Sequence, residues 1–271
     1  MVELDNIKIG GNNSFILIAG PCVVENESMI FETAKGIKSI CSELKIPFIF
    51  KSSYKKANRT SKNSFVGIGD KKALEILSNI KKEFGFNILT DVHTTEEINL
   101  AQKYVDVLQI PAFLSRQTEL LIAAGESGKV VNIKKGQFLA PEDMSHAAEK
   151  VASTGNKKIL LTERGTTFGY HNLVVDMRSL VIMKELGYPV VMDATHSVQI
   201  PSQGTLSGGQ PKFIKPLAKA AAAVGIDALF LEVHPNPKEA LSDAASQLPL
   251  SDLKELLISV KAIDEIVKRK N

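Results

Sequence analysis

FILIAGPC (residues 15–22) is an apolar run that ends in a cysteine. Seven later runs have the same form, apolar for a few residues and then polar or charged at the C-terminal end. They are FIFKSS (48–53), NILTDVH (87–93), VLQIPAF (107–113), VVNIKK (130–135), KILLTERG (158–165), PVVMDATHS (189–197) and ALFLEVH (228–234). Segments long enough for a helix follow them, at about 27–44, 70–84, 95–104, 116–127, 142–153, 176–186, 212–224 and 250–268. Runs of Ile, Val, Leu and Phe without strict alternation suit a parallel sheet covered by helices. Eight strand–helix units therefore imply an α/β fold, a (β/α)8 TIM barrel, with one active site where the polar tips gather.

The rest of the chain fits that frame. Val2, Leu4, Ile7 and Ile9 flank Asp5-Asn6, so residues 1–13 read as a short N-terminal β-hairpin that closes the bottom of the barrel. In 70–84, Ala73, Leu74, Ile76, Leu77, Ile80 and Phe84 form an apolar stripe at helical spacing, and Asp70 reads as its cap. The connections 54–69, 165–175 and 198–211 are unusually long and leave the catalytic end, which favours function. At 271 residues the chain is read as a single barrel domain, 1–271.

Composition excludes several classes. The net charge of +3 is mildly basic, and the only dense basic run is Lys268-Arg269-Lys270, so no nucleic-acid partner is expected. No apolar stretch approaches the roughly 18 residues of a membrane span, and no signal peptide is visible, so the expectation is a cytoplasmic enzyme without a membrane partner. Two cysteines, Cys22 and Cys41, make no disulfide framework, and Cys41 reads as a structural helix residue. The phosphate-loop, dinucleotide, zinc-protease and nucleophile-elbow motifs are absent.

The strand tips carry the chemistry. Cys22 and His196 lie at the ends of the first and seventh runs and Glu232 near the end of the eighth, with Asp243 just beyond, and in a closed barrel these tips adjoin. Mixed sulfur, nitrogen and oxygen donors suit Zn, Fe or another first-row divalent metal ion, although His196 would also serve as an acid/base and Asp243 as a helix cap. Cations recur at the other tips: Lys51, Lys55, Lys56 and Arg59 after the second run, Arg116 after the fourth, Lys134 and Lys135 at the fifth, Arg164 at the sixth. So many cations around one pocket imply more than one anionic group.

IAGPC, FKSSYKKANRTS, QIPAFLSRQT, NIKKGQFLAPED, TERGTTFGYHNLVVDMRSL, DATHSVQ and LSDAASQLPL occur in this order. Together they resemble the 3-deoxy-D-manno-octulosonate 8-phosphate (KDO8P) synthase family of the 3-deoxy-arabino-heptulosonate 7-phosphate (DAHP) synthase superfamily. The resemblance implies joining of phosphoenolpyruvate (PEP) to arabinose 5-phosphate with water and release of phosphate, in lipopolysaccharide biosynthesis. It also implies, from a cysteine at position 22, the class that needs a divalent metal ion (Zn, Fe, Mn or similar) held by Cys22, His196, Glu232 and Asp243. By the same resemblance, Lys134 and Arg164, with Gln109 and Ala112 nearby, match the PEP phosphate contacts, and Lys51, Ser53 and Lys56 those at its carboxylate. Asn58, Arg59 and Thr60 match the sugar-phosphate site, and Arg116 an arginine that reaches the sugar phosphate of an adjacent subunit in a homotetramer. Asp91 and His93 match polar residues beside the reacting centre, completing a catalytic set with Cys22, Lys51, His196 and Asp243. His171 departs from the asparagine or aspartate of that place. A DAHP synthase using erythrose 4-phosphate and a non-catalytic phosphate-binding barrel are the other readings.

Overall fold

A computed structural model of the chain describes residues 1–59, 62–200 and 208–268. Eight parallel strands form its centre: β1 (Ile16–Gly20), β2 (Phe48–Lys51), β3 (Asn87–Asp91), β4 (Val107–Ile110), β5 (Val130–Lys134), β6 (Ile159–Glu163), β7 (Val190–Asp193) and β8 (Ala228–His234). Each pairs in parallel with its sequence neighbours, and β8 pairs with β1, so the sheet closes into a barrel. Helices α1 (Glu27–Leu44), α2 (Asp70–Phe84), α3 (Thr95–Ala101), α4 (Thr118–Glu126), α5 (Met144–Ala152), α6 (Arg178–Glu185), α7 (Ile214–Val224) and α8 (Leu250–Val267) follow the strands in turn. This is the expected (β/α)8 barrel.

Two apolar clusters explain why the strands read as continuous runs. Ile16, Ile18, Ile49, Leu89, Val107, Leu160, Val191 and Phe230 fill the barrel, whereas Leu17, Ala19, Phe50, Ile88, Leu108 and Leu161 face outward onto the helices. Both faces are buried, so alternation of direction leaves no alternation of polarity. The N-terminal strands Val2–Leu4 and Ile7–Ile9 pair antiparallel. Val2 and Ile9 join the interior cluster, so the hairpin plugs the barrel floor as expected.

Some boundaries differ from the sequence reading. Asp70 is the first residue of α2 rather than its cap; Gly69 occupies that place with φ 103° and offers no side-chain bond. A glycine at positive φ turns the chain into the helix where a side chain would be strained, and Asp70 instead pairs with Lys55 at 3.2 Å. The expected helix over 212–224 divides into a short 3-10 turn, Pro211–Phe213, and α7. Within 165–175, Thr166–Thr167 and Leu173–Val174 pair antiparallel, and Gln199–Ile200 pairs with Gly208–Gly209. Among the described residues, no helix is long and apolar enough to cross a membrane.

Gly20 shows how close the strand ends approach one another. A β-carbon there would stand 2.0 Å from the carbonyl oxygen of Lys51. Only glycine lets the tips of β1 and β2 meet this tightly, and the side chains of Cys22 and Lys51 emerge beside each other as a result.

Candidate active site

The C-terminal tips of the strands surround one cleft. It is lined by Lys51, Ser53 and Lys56 from β2 and its loop, Gln109 and Ala112 from β4 and its loop, and Lys134 and Arg164 from β5 and β6. Asn58, Asp91 and His196 line it too. All the residues matched to PEP therefore face one space. Lys51, Lys56, Lys134 and Arg164 are each at least nine-tenths buried, an unusual concentration of cations.

Carboxylates hold the three lysines in place, and an amide oxygen holds the arginine. Lys51 Nζ lies 2.7 Å from Glu232 Oε1 and 3.1 Å from the Cys22 carbonyl oxygen. Burial is the largest influence and would lower the Lys51 ammonium's pKa, but Glu232 together with Cys22 and Asp91 turns the net shift upward. Lys134 Nζ lies 2.6 Å from Asp193 Oδ2; here burial prevails and lowers the pKa, with Asp193 as a partial offset. The backbone N–H of Arg164 donates to Glu163 Oε1 at 2.9 Å, and its Nη2 to Gln199 Oε1 at 2.9 Å. Its buried Nη1 has no partner among the described residues, which leaves a donor for an anion in the cleft.

A second cluster adjoins the cations. Cys22 Sγ, a Glu232 carboxylate oxygen and an Asp243 carboxylate oxygen lie within 4.8 Å of one another. The thiol donates to Asp243 Oδ2 at 3.0 Å. Burial first, and then the charges of Asp243 and Glu232, push the Cys22 thiol's pKa well up. Buried Glu232 Oε2 has no hydrogen-bond partner among the described residues. A divalent cation in place of the thiol proton would satisfy that oxygen and offset the crowding of negative groups, so the donor set fits such an ion. His196 flanks the cluster with Nε2 3.5 Å from Glu232 Oε1, and its Nδ1 is fixed by Asp193 Oδ2 at 2.7 Å.

Asp193 was not singled out in the sequence, although it ends β7 in the quoted DATHS run. Besides Lys134 and His196 Nδ1, its carboxylate accepts from the backbone N–H groups of Thr195 and His196 and from the Thr195 hydroxyl. That hydroxyl in turn accepts from the backbone N–H of Glu232 at 3.0 Å. One carboxylate thus orients a cleft lysine, the histidine and, through Thr195, the tip of β8. Asn132 and Thr162 were also missed. They form a chain across three strands, Asn132 Nδ2 donating to Gln109 Oε1 at 3.0 Å and Thr162 Oγ1 to Asn132 Oδ1 at 2.6 Å. The chain fixes the Gln109 amide at the edge of the cleft.

His93 stands beside Asp91, with Nε2 3.2 Å from Asp91 Oδ2. Asn58 and Arg59 are exposed, and the Arg59 guanidinium folds back onto the Lys56 carbonyl oxygen. Thr60 lies outside the described residues. Arg116 is exposed and does not line its own chain's cleft. Cys41 is buried in α1, with its thiol's pKa pushed up to about 12 by burial, and has no place in the site. His171 adopts φ 53°, a left-handed conformation that asparagine and aspartate reach more readily.

Comparison with known proteins accords with this arrangement. The DAHP synthetase I family model matches residues 1–269. A 2-dehydro-3-deoxyphosphooctonate aldolase of Geotalea uraniireducens (strain Rf4) is 55% identical over 268 residues, covering 98% of each chain. The proteins of the same name from Azoarcus sp. (strain BH72) and Syntrophotalea carbinolica are 55% and 54% identical, over 98% of this chain and 97% of theirs. With a barrel whose polar tips converge on one cationic cleft and a family match along almost its whole length, the chain belongs to the DAHP synthetase I family.

Proposed function

We propose that the chain is a 2-dehydro-3-deoxyphosphooctonate aldolase, that is, a KDO8P synthase. It joins PEP to D-arabinose 5-phosphate, adds water and releases phosphate, supplying the eight-carbon sugar acid of lipopolysaccharide. The observation that carries this reading is the burial of Lys51, Lys56, Lys134 and Arg164 around one cleft beside Cys22, Glu232 and Asp243. The shared name of the relatives supports the choice of substrates.

In this reading Lys134 and the free Nη1 of Arg164 bind the PEP phosphate, with Gln109 and Ala112 at its edge. Lys51, Ser53 and Lys56 bind the carboxylate. Asn58, Arg59 and Thr60 hold the sugar phosphate, and Arg116 reaches it from an adjacent subunit of a homotetramer, in keeping with its exposure here. The clustered cations offset the repulsion between two anionic substrates and hold them in line for reaction. C3 of PEP attacks the aldehyde carbon, water adds at C2, and the hemiketal phosphate loses phosphate by C–O cleavage. Asp91, with one oxygen held by His93, presents the other to the sugar. Asp193 keeps Lys134 and His196 oriented throughout.

Cys22, His196, Glu232 and Asp243 would hold a divalent ion, which when bound supplies Lewis acidity beside the reacting carbons. The proximity of Cys22, Glu232 and Asp243 supports reading the chain as one of the metal-dependent class. The test is phosphate release from PEP with arabinose 5-phosphate compared with erythrose 4-phosphate. Turnover with the five-carbon sugar supports the assignment; a preference for the four-carbon sugar makes the chain a DAHP synthase instead.

A further inference from the structure

His93 is held between two carboxylates. Its Nδ1 lies 2.9 Å from Glu97 Oε2 and its Nε2 lies 3.2 Å from Asp91 Oδ2. An ionised carboxylate only accepts hydrogen bonds, and a neutral imidazole has one N–H. A ring that faces a carboxylate at each nitrogen is satisfied at both ends only as the imidazolium. We propose that Glu97 is a positioning residue that keeps His93 in this cationic form, so that His93 pins Asp91 with its second oxygen turned into the cleft. The proposal deepens the reading of the cleft as a sugar-phosphate site, on which the purpose of Asp91 rests.

The surroundings of Glu97 show why it can do this. It lies in the first turn of α3, where Thr94 caps the helix and accepts from the Glu97 backbone N–H at 3.3 Å. Glu97 reaches back and accepts from the backbone N–H of His93 at 2.7 Å. Behind it stands Lys55, with Nζ 2.5 Å from Glu97 Oε1 and 3.2 Å from Asp70. The charges therefore alternate from cleft to surface: Asp91, His93, Glu97, Lys55, Asp70. Tyr54 also faces Glu97, and Lys51 and Lys56 act on Asp91 from the β2 side. Glu96 is next to Glu97 but exposed. Asp91 Oδ1 is buried and without a hydrogen-bond partner among the described residues, in a residue that lines the cleft. Burial alone would lower the His93 pKa, but the two carboxylates raise it to about 9.

The competing explanation is structural. Thr94-Thr95-Glu96-Glu97 also has a capping-box sequence, with Glu97 accepting from the backbone N–H of His93 just before the cap, a bond that glutamine would make as well as glutamate. Glu97→Gln therefore keeps the cap and removes only the charge. The His93 ring is titrated by NMR in the zinc-loaded full chain, labelled at histidine, with His93→Gln identifying the resonance. In the parent, His93 should titrate near pH 9, and Glu97→Gln should lower that midpoint by at least about one unit, a tenfold change. Lys55→Met, which removes the cation competing for Glu97, should leave the midpoint in place or raise it. The alkaline limb of kcat/KM should move with the His93 midpoint in each variant. A parent midpoint near 6.5, or an unchanged midpoint in Glu97→Gln, overturns the proposal. The titration needs no turnover, so it decides this point even if neither sugar proves to be a substrate.

Discussion

The Lys51–Glu232 pair invites a direct measurement of what holds the site together. Both side chains are essentially out of water, at 2% and 0% exposure, and their charged atoms are 2.7 Å apart. At that distance two unit charges attract by about 6 kcal/mol at an effective dielectric constant of 20. Withdrawing each ion from water costs several kcal/mol, so the intact pair adds little net stability. Removing one member is different, because the other is left buried without its closest counter-ion. Lys51→Met leaves Glu232 facing Asp243 and the Cys22 thiol, with His196, Lys56 and the weaker influence of Lys134 and Arg164 to offset it. The expected loss is about 3–5 kcal/mol. Glu232→Leu should cost about 3 kcal/mol, at the low end of that range, because it also relieves repulsion with Asp243. The double variant replaces the ions with apolar groups and should be more stable than either single one. Urea unfolding in the presence of chelator isolates the pair from metal binding, and unchanged m-values would show that the same surface is exposed. Losses that add to within about 0.5 kcal/mol would mean that the two charges are not coupled, and the electrostatic account of the cleft would fail.

Other consequences can be checked separately. Cys22→Asn should bind zinc more weakly by equilibrium dialysis than the parent; unchanged affinity would remove Cys22 from the donor set. Gly20→Ala should yield little folded protein or a strongly lowered melting temperature, because its β-carbon would stand 2.0 Å from the Lys51 carbonyl oxygen; a loss below about 1 kcal/mol would mean that β1 and β2 do not approach so closely. The raised pKa of His93 gives stability that is full below its unfolded value of 6.5 and is lost as the pH rises towards about 9. That loss should be on the order of 3 kcal/mol and smaller in Glu97→Gln; equal pH dependence in the two proteins would contradict it.

The barrel was legible because each strand writes its own boundary, apolar while inside and polar at the tip. The closure that brings Cys22 beside Glu232 follows from eight units and no more. Interactions that depend on register across the barrel were not legible. Asn132 sits in the middle of VVNIKK and looks like an interruption of a strand, yet its neighbours in register make it the link between Gln109 and Thr162. Asp193 carries no signal of its own in DATHS, where His196 is the residue that stands out. Its importance lies in the backbone turn after β7, which folds Thr195 and His196 back onto it. Glu97 was not singled out in the sequence. A histidine at a strand tip followed four residues later by a glutamate in a capping sequence is the signal that would have found it. Asp70 misled for the opposite reason: aspartate is a common cap, but Gly69 takes the turn and Lys55 takes the carboxylate.

The central claim is that this cleft condenses PEP with a pentose phosphate and needs a divalent ion held at Cys22. The most direct test measures product formation from PEP and arabinose 5-phosphate before chelation, after chelation and after a divalent metal is restored, with erythrose 4-phosphate in parallel. The account predicts an eight-carbon sugar acid phosphate, activity lost on chelation and regained with metal, and little turnover of the four-carbon sugar. Full activity in chelator, or a seven-carbon product as the main outcome, would contradict it.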